Sequence, residues 1–267
     1  MSDQRPTLIE VRHLRKIFGK TLAVDDVSFD IYPAEILALV GESGSGKTTV
    51  GRMISGLEDK SGGTVSLRGS ASSSTENAPT AMERLPDRYR KQDFRRYGQR
   101  IQMIFQDPLS SLNPFFNAGE VISEALRFAG QKPTLETQLH WLNEAGLQPD
   151  HLHRLPHELS GGQRQRLCIA RALCMRPEVI VSDESVSALD VSVQAQILAL
   201  LLRLQDTHAL TLIFITHDLN VVRQIASRVL VMRRGQIVES GQADQVFDAP
   251  QHEYTKALLA ACPIPQI

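Results

Sequence analysis

The chain has 267 residues, 42% of them hydrophobic and 22% charged, which suits one large globular domain or two small ones with a sizeable core. A formal net charge of −1 supplies no global attraction for nucleic acid, so no nucleic-acid partner is expected. Apolar runs such as Ile197 to Leu202 are far too short to span a bilayer. The N-terminus, Met-Ser-Asp-Gln-Arg-Pro, carries no apolar signal region, so the chain is expected to stay in the cytoplasm. Cys168, Cys174 and Cys262 are odd in number and not spaced as metal ligands, and read as buried or idle thiols.

In chain order, Leu8 to Phe18 and Thr21 to Tyr32 alternate apolar and polar residues around Gly19-Lys20, which predicts two antiparallel strands and a tight turn. Ile36 to Val40 is continuously apolar, as a strand covered on both faces would be. Gly41 to Gly46 breaks it, and Lys47 to Leu57 reads as a helix. Ser70 to Pro79 has too little apolar content to pack and reads as a surface loop. Arg88 to Arg100 is arginine-rich and reads as a solvated helix face. From Asp107 to Met175 the pattern is mainly helical. Glu178 to Ser182 and Leu212 to Thr216 are two further buried-type strands. Between them Val191 to Gln205 is a helix with Val193, Ile197, Leu200 and Leu201 on one apolar face. Arg228 to Val238 reads as closing strands around Gly235, and Ala243 to Ala249 and His252 to Ala261 as terminal helices. Strand–helix alternation implies an α/β core. The expected organisation is a nucleotide-binding core over residues 1–106 and 176–241, a helical subdomain over 107–175, and C-terminal helices over 242–267.

Gly41-Glu-Ser-Gly-Ser-Gly-Lys-Thr48 matches G-x-x-x-x-G-K-[ST], with the strand before and the helix after that this pattern requires. Its glycines let backbone N–H groups wrap a phosphate without Cβ clashes. Lys47 can reach the β and γ phosphates, and the Thr48 hydroxyl can ligate Mg²⁺. Glu42, Ser43, Gly44, Ser45 and Thr49 complete the loop and the first turn. A second buried strand, Val179 to Ser182, ends in Asp183 and Glu184, where a carboxylate faces the ligand crevice of an α/β sheet. Asp183 is placed to hold Mg²⁺, directly or through water, and Glu184 to polarise an attacking water as general base. Acids also end strands for ordinary solvation. His217 follows the apolar strand Leu212 to Ile215, where it can bond a γ-phosphate. Leu159-Ser-Gly-Gly-Gln163 opens a helix with two glycines behind a serine, which suits an anion, yet no strand leads into it and no lysine follows.

Taken together these stretches resemble the nucleotide-binding subunit of ABC transporters. Walker A lies at Gly41–Thr48, a glutamine loop at Gln106, the signature at Leu159–Gln163, Walker B at Val179–Asp183 with Glu184, a D-loop at Ser187-Ala-Leu-Asp190, and the switch histidine at His217. The resemblance covers nearly the whole chain. It implies an α/β, P-loop NTPase (RecA-like) core with an N-terminal antiparallel β subdomain and an inserted α-helical subdomain. It also implies a head-to-tail dimer holding two ATP molecules, each between one subunit's Walker A and the other's signature. Ser160, Gly161, Gly162 and Gln163 would then contact ATP bound across the interface, and Asp190 would lie at the dimer seam. Gln106 would touch Mg²⁺ or the water. Phe18 would stack on adenine, its other reading being a core phenylalanine at a strand end.

Three longer stretches resemble the oligopeptide, dipeptide and nickel importer group more narrowly: Ile104 to Pro114, Asp183 to Gln196 and Pro250 to Pro263. Such importers pair two different ATPases on two membrane permease subunits fed by an extracytoplasmic solute-binding protein. Here the Ser-Gly-Gly-Gln and Ser-Val-Ser-Ala-Leu-Asp forms are similar to the second ATPase of the pair. The resemblance implies an ATPase, with ATP and Mg²⁺, attached peripherally to the cytoplasmic face of the inner membrane, as a heterodimer or a homodimer. Asp107 to Phe116, with two adjacent phenylalanines, is the expected contact for a membrane-subunit helix, unless those rings are core. Ser185 departs from the group, standing where a proline often follows the glutamate. So do the serine-rich insertion near Ser70 and a C-terminal part with only Cys262 in place of clustered cysteines, which argues against a metal cluster there. A soluble ABC ATPase of a non-transport assembly, such as a phosphonate-cleaving complex, is the alternative.

Overall fold

The computed structural model describes residues 6–69, 81–185 and 189–261. The expected loop at Ser70 to Pro79, the D-loop residues Ser187 and Ala188, and Cys262 lie outside them. The strands are β1 (Ile9–Phe18), β2 (Thr21–Ile31), β3 (Ile36–Val40), β4 (Gly62–Arg68), β5 (Met82–Arg84), β6 (Ile101–Ile104), β7 (Val179–Asp183), β8 (Thr211–Ile215), β9 (Arg228–Arg233) and β10 (Gln236–Gln242). The helices are α1 (Lys47–Ile54), α2 (Lys91–Tyr97), α3 (Pro108–Ser111), α4 (Ala118–Phe128), α5 (Leu135–Glu144), α6 (Gly161–Leu173), α7 (Val191–His208), α8 (Leu219–Ile225), α9 (Ala243–Asp248) and α10 (Glu253–Ala260). The chain divides into two units, Met1–Asp93 with Ile213–Ile267, and Phe94–Leu212.

In the first unit, β1 and β2 pair antiparallel from Ile9↔Ile31 to Phe18↔Thr21, closing on a turn in which Gly19 takes a φ of 55°. The antiparallel sheet runs β2-β1-β4-β5, and its inward positions Ile9, Val11, Leu14, Val27, Ile31, Val65 and Leu67 are buried. The second sheet region of this unit places β3 between β9 and β8, with β10 outside β9. β3 pairs parallel to β9, and every residue of β3 is buried, the burial that a continuously apolar strand needs. Ala38, Val40, Val229 and Val231 pack with Leu219 and Val222 of α8, Ala243 and Val246 of α9, and Tyr254 of α10. Each fully buried aliphatic side chain contributes about 1.5–3 kcal/mol.

In the second unit, β6 and β7 pair parallel in register from Ile101↔Val179 to Ile104↔Ser182. The Arg100 guanidinium pins their start with Nε and a terminal nitrogen on the two oxygens of Glu178, at 2.5 and 3.0 Å. The helices of this unit carry their own start signals. Asp107 caps α3 with proline at its first position, and Asn117 with Glu120 makes a reciprocal cap on α4. α7 buries Ile197, Leu198, Leu200, Leu201 and Leu204, while Val193 is half-buried, and Ala209 at φ 49° ends the helix. Strands β4, β5 and β6 and helix α8 were not anticipated from the pattern. β4 opens on two glycines, β5 has three residues, and β6 follows an arginine-rich stretch whose helix, α2, covers only Lys91–Tyr97. Among the described residues no helix is long and apolar enough to cross a membrane.

Candidate functional site

The glycine-rich loop leaves the C-terminal end of β3 and turns into α1. Gly41, Gly44 and Gly46 sit at φ 145°, 77° and 104°, a region side chains rarely adopt. A Cβ on Gly46 would lie 2.6 Å from the Ala23 carbonyl oxygen, and one on Gly41 would strike the Met232 carbonyl. Space as well as dihedral angle therefore demands glycine at both. Gly46 is the N-cap of α1, and no side chain caps that helix start. Its first turn holds no acidic residue, so the helix presents positive backbone potential to an anion. Lys47 is 4% exposed, and its ammonium donates to the carbonyls of Gly41 and Glu42 at 2.8 and 2.9 Å and to Ser45 Oγ at 3.5 Å. Thr48 and Thr49 are half-buried on the same first turn, while Glu42, Ser43 and Gly44 are exposed.

Two contacts that brace this loop were not legible in the sequence. The Glu42 N–H donates to the Tyr254 hydroxyl at 3.1 Å, and the Arg233 guanidinium lies 4.8 Å from the Tyr254 ring centre. The Gly235 N–H, in the turn between β9 and β10, donates to the Ser45 carbonyl at 3.0 Å. Both partners come from residues near the C-terminus of the described chain, and only the fold brings them to the loop. His217, exposed, follows β8, whose end is tied to β3 by the Thr216 N–H donating to the Leu39 carbonyl at 3.2 Å. Next to it Asp218 caps α8, accepting from the N–H groups of Asn220 and Val221. Phe18 is 45% exposed at the strand end, so it is not the core residue that was its other reading.

In the second unit, Asp183 and Glu184 stand at the C-terminal end of β7, and Gln106 follows the parallel β6. Asp183 is 4% exposed, and Glu184 is half-buried with φ 45°, an uncommon conformation for a non-glycine residue. The Gln106 side-chain amide donates to Glu184 Oε2 at 3.0 Å, although the two residues are 78 positions apart. The hydroxyls of Ser182 and Ser185, which flank the two acids in sequence, meet at 2.5 Å, a bond that a proline at 185 could not make.

The signature stretch opens α6. Ser160 is the N-cap: its hydroxyl accepts from the Gln163 N–H at 3.3 Å, and the Gln163 side-chain oxygen accepts from the Ser160 N–H at 2.9 Å. The other end of the Gln163 amide meets His151 Nε2 at 3.0 Å, a partner missed in the sequence. A Cβ on Gly162 would lie 2.5 Å from Val193 Cγ1, so that glycine lets α6 and α7 approach, whereas one on Gly161 would meet Leu189 at an ordinary 3.4 Å. Asp190 caps α7. The Val193 N–H and the Ser192 hydroxyl hold its carboxyl below the usual carboxylate range. Phe115 is 85% exposed and Leu109 47% exposed, with Phe116 half-buried. The buried thiols Cys168 and Cys174 are pushed upward by desolvation, Cys174 to about 12.

The geometry is that of a phosphate loop, a strand-end acid pair and a self-capped glycine-rich helix start. A family model described as ABC transporter matches residues 24–187. The oligopeptide transport ATP-binding protein OppF of Bacillus subtilis is 44% identical over 266 residues, 97% of this chain and 83% of that protein. The glutathione import ATP-binding protein GsiA of Escherichia coli is 47% identical over 254 residues, 94% of this chain, which spans only 38% of that longer protein. A solved dimeric ATP-binding cassette in a post-hydrolysis state, bound to ADP and Pi, superposes with a TM-score of 0.72 at 26% identity, over 88% of this chain and 99% of its own. The chain belongs to the ABC transporter family as one of its ATP-binding, P-loop α/β subunits.

Proposed function

We propose that this chain hydrolyses ATP to drive an importer of peptides or a related small solute. It would work with two membrane permease subunits, a second ATPase subunit (a different one or a second copy), and, indirectly, an extracytoplasmic solute-binding protein. Its place is the cytoplasmic face of the inner membrane, as a peripheral subunit. The names of both curated relatives, one for oligopeptide transport and one for glutathione import, favour this reading over a non-transport assembly. The exposed Phe115 and Leu109 support Asp107 to Phe116 as the surface that meets a permease helix.

Residue by residue, the backbone of Gly41–Thr48 and the Lys47 ammonium bind the phosphates, Phe18 stacks on adenine, and His217 bonds the γ-phosphate. Glu184 orients the water and takes its proton as the water oxygen attacks the γ-phosphorus. The bond from that phosphorus to the bridging oxygen breaks, leaving ADP and phosphate. Gln106 positions the same water and links its state to α3. Ser160, Gly161, Gly162 and Gln163 contact the ATP carried by the partner subunit, with Asp190 at the seam. Thr48, Asp183 and Gln106 offer hydroxyl, carboxylate and amide oxygens, a hard donor set suited to Mg²⁺. Among the described residues no three His, Cys, Asp or Glu side chains cluster as a metal cage, and Mg²⁺ on a nucleotide needs none, because phosphates and water complete its shell. The ion supplies charge neutralisation on the phosphate oxygens when bound.

The observation that carries the reading is the 3.0 Å contact between Gln106 and Glu184, which joins the water-positioning and proton-accepting groups. Glu184→Gln is expected to keep ATP binding, lose roughly 10²–10⁴-fold in hydrolysis and accumulate the ATP-bound dimer. Wild-type turnover in that variant refutes the assignment.

A further inference from the structure

Two residues before Phe18 on the same strand lies Lys16, at a point where the pairing of β1 with β2 shifts register. Lys16 is 8% exposed although it stands near a turn. Its ammonium donates to the Asp59 carbonyl at 2.7 Å and pairs with Glu58 Oε1 at 2.5 Å. The same nitrogen lies 4.7 Å from the centre of the Phe18 ring, within the range of a cation–π contact. An ammonium has three N–H donors; two are spent on the segment that follows α1, and the charge faces the ring. Phe18 itself pairs with Thr21 at the last position of the strand, next to the left-handed Gly19. An aromatic ring at such a tip would otherwise exchange rotamers and lose conformational entropy when a base stacks on it.

We propose that Lys16 is a positioning residue for nucleobase recognition: its ammonium, anchored by Glu58 and Asp59, holds one face of the Phe18 ring so that the ring is set for stacking before the nucleotide arrives. This rests on the reading of Phe18 as the adenine platform. The device joins the base platform to the segment leaving α1, the helix that starts at the phosphate loop. Its contribution belongs to the base and not to the phosphates, because Lys16 contacts neither the loop backbone nor Lys47 in the hydrogen bonds and ion pairs above.

The test uses the full chain with two probes, Mg-ATP and inorganic Mg-tripolyphosphate, which lacks the base. Lys16→Met keeps the aliphatic stem and removes the charge. It is expected to weaken ATP about threefold to tenfold, the range of one cation–π contact, and to leave tripolyphosphate unchanged. Lys16→Arg, which keeps a cation over the ring, is expected to restore ATP affinity to within about twofold. In a Phe18→Ala background, adding Lys16→Met is expected to cost nothing more. Equal weakening of both probes, or full additivity with Phe18→Ala, overturns the proposal while leaving the adenine platform intact. If Phe18→Ala alone leaves ATP affinity unchanged, the platform reading falls, and the proposal with it. Should Lys16→Met fail to fold, Glu58→Gln loosens the same anchor and is expected to weaken ATP but not tripolyphosphate; an equal effect on both probes overturns the proposal.

Discussion

The two glycine-rich helix starts of this chain, at α1 and at α6, solve opposite problems. At α1 the loop is held in left-handed conformations by Gly41, Gly44 and Gly46, no side chain caps the helix, and a buried lysine lies against the loop carbonyls. At α6 the helix finishes itself: Ser160 and Gln163 cap each other, and Gln163 is held further by His151. The first geometry is costly to hold and is built around a ligand's charge. The second is complete without a ligand, which supports the proposal that it meets a nucleotide brought by another subunit. The difference teaches that similar glycine patterns can serve unlike ends, and that the caps tell them apart.

The sharpest way to break the comparison is at Gly41. A methyl group there meets the Met232 carbonyl at a φ only glycine tolerates, so Gly41→Ala should abolish ATP binding and destabilise the fold by about 1–3 kcal/mol, read by nucleotide titration and thermal melting. If ATP still binds, the loop is not strained in the way described. At α6 the two glycines should behave differently from one another. Gly162→Ala, whose Cβ would sit 2.5 Å from Val193, should cost roughly 1–3 kcal/mol of stability, and Val193→Ala should relieve much of it. Gly161→Ala, with only an ordinary contact, should cost about 0.5 kcal/mol or less in the same melts. The brace on α1's loop is read by affinity rather than by melting. Tyr254→Phe removes the acceptor of the Glu42 N–H and should weaken ATP about threefold to tenfold without changing hydrolysis at saturation.

Much of this was legible in the chain itself, because its signals are local. The phosphate loop has a fixed spacing, β3 and β7 are short apolar runs, and Ser160 with two glycines announces the start of α6. What escaped was non-local. β6 has only four residues after an arginine-rich stretch, and β4 opens on glycines, so neither announces itself by pattern. Tyr254 is 212 positions from Glu42, and His151, which meets Gln163, sits in a short 3-10 helix, Pro149–His153, that the sequence pattern did not separate from its neighbours. The glutamine–glutamate pair was expected as two roles, but its direct bond across 78 positions follows only from the parallel register of β6 and β7.

The claim that α6 reads a partner's nucleotide, while α1 binds the chain's own, is tested most directly by Ser160→Arg in the Glu184→Gln background. Light scattering with and without Mg-ATP would follow assembly with the second ATPase subunit, and nucleotide titration would follow binding by the single chain. The account predicts that the parent assembles on ATP, and that the Ser160→Arg chain binds ATP with unchanged affinity yet stays unassembled. Loss of single-chain ATP binding, or ATP-driven assembly undiminished by the arginine, would contradict it.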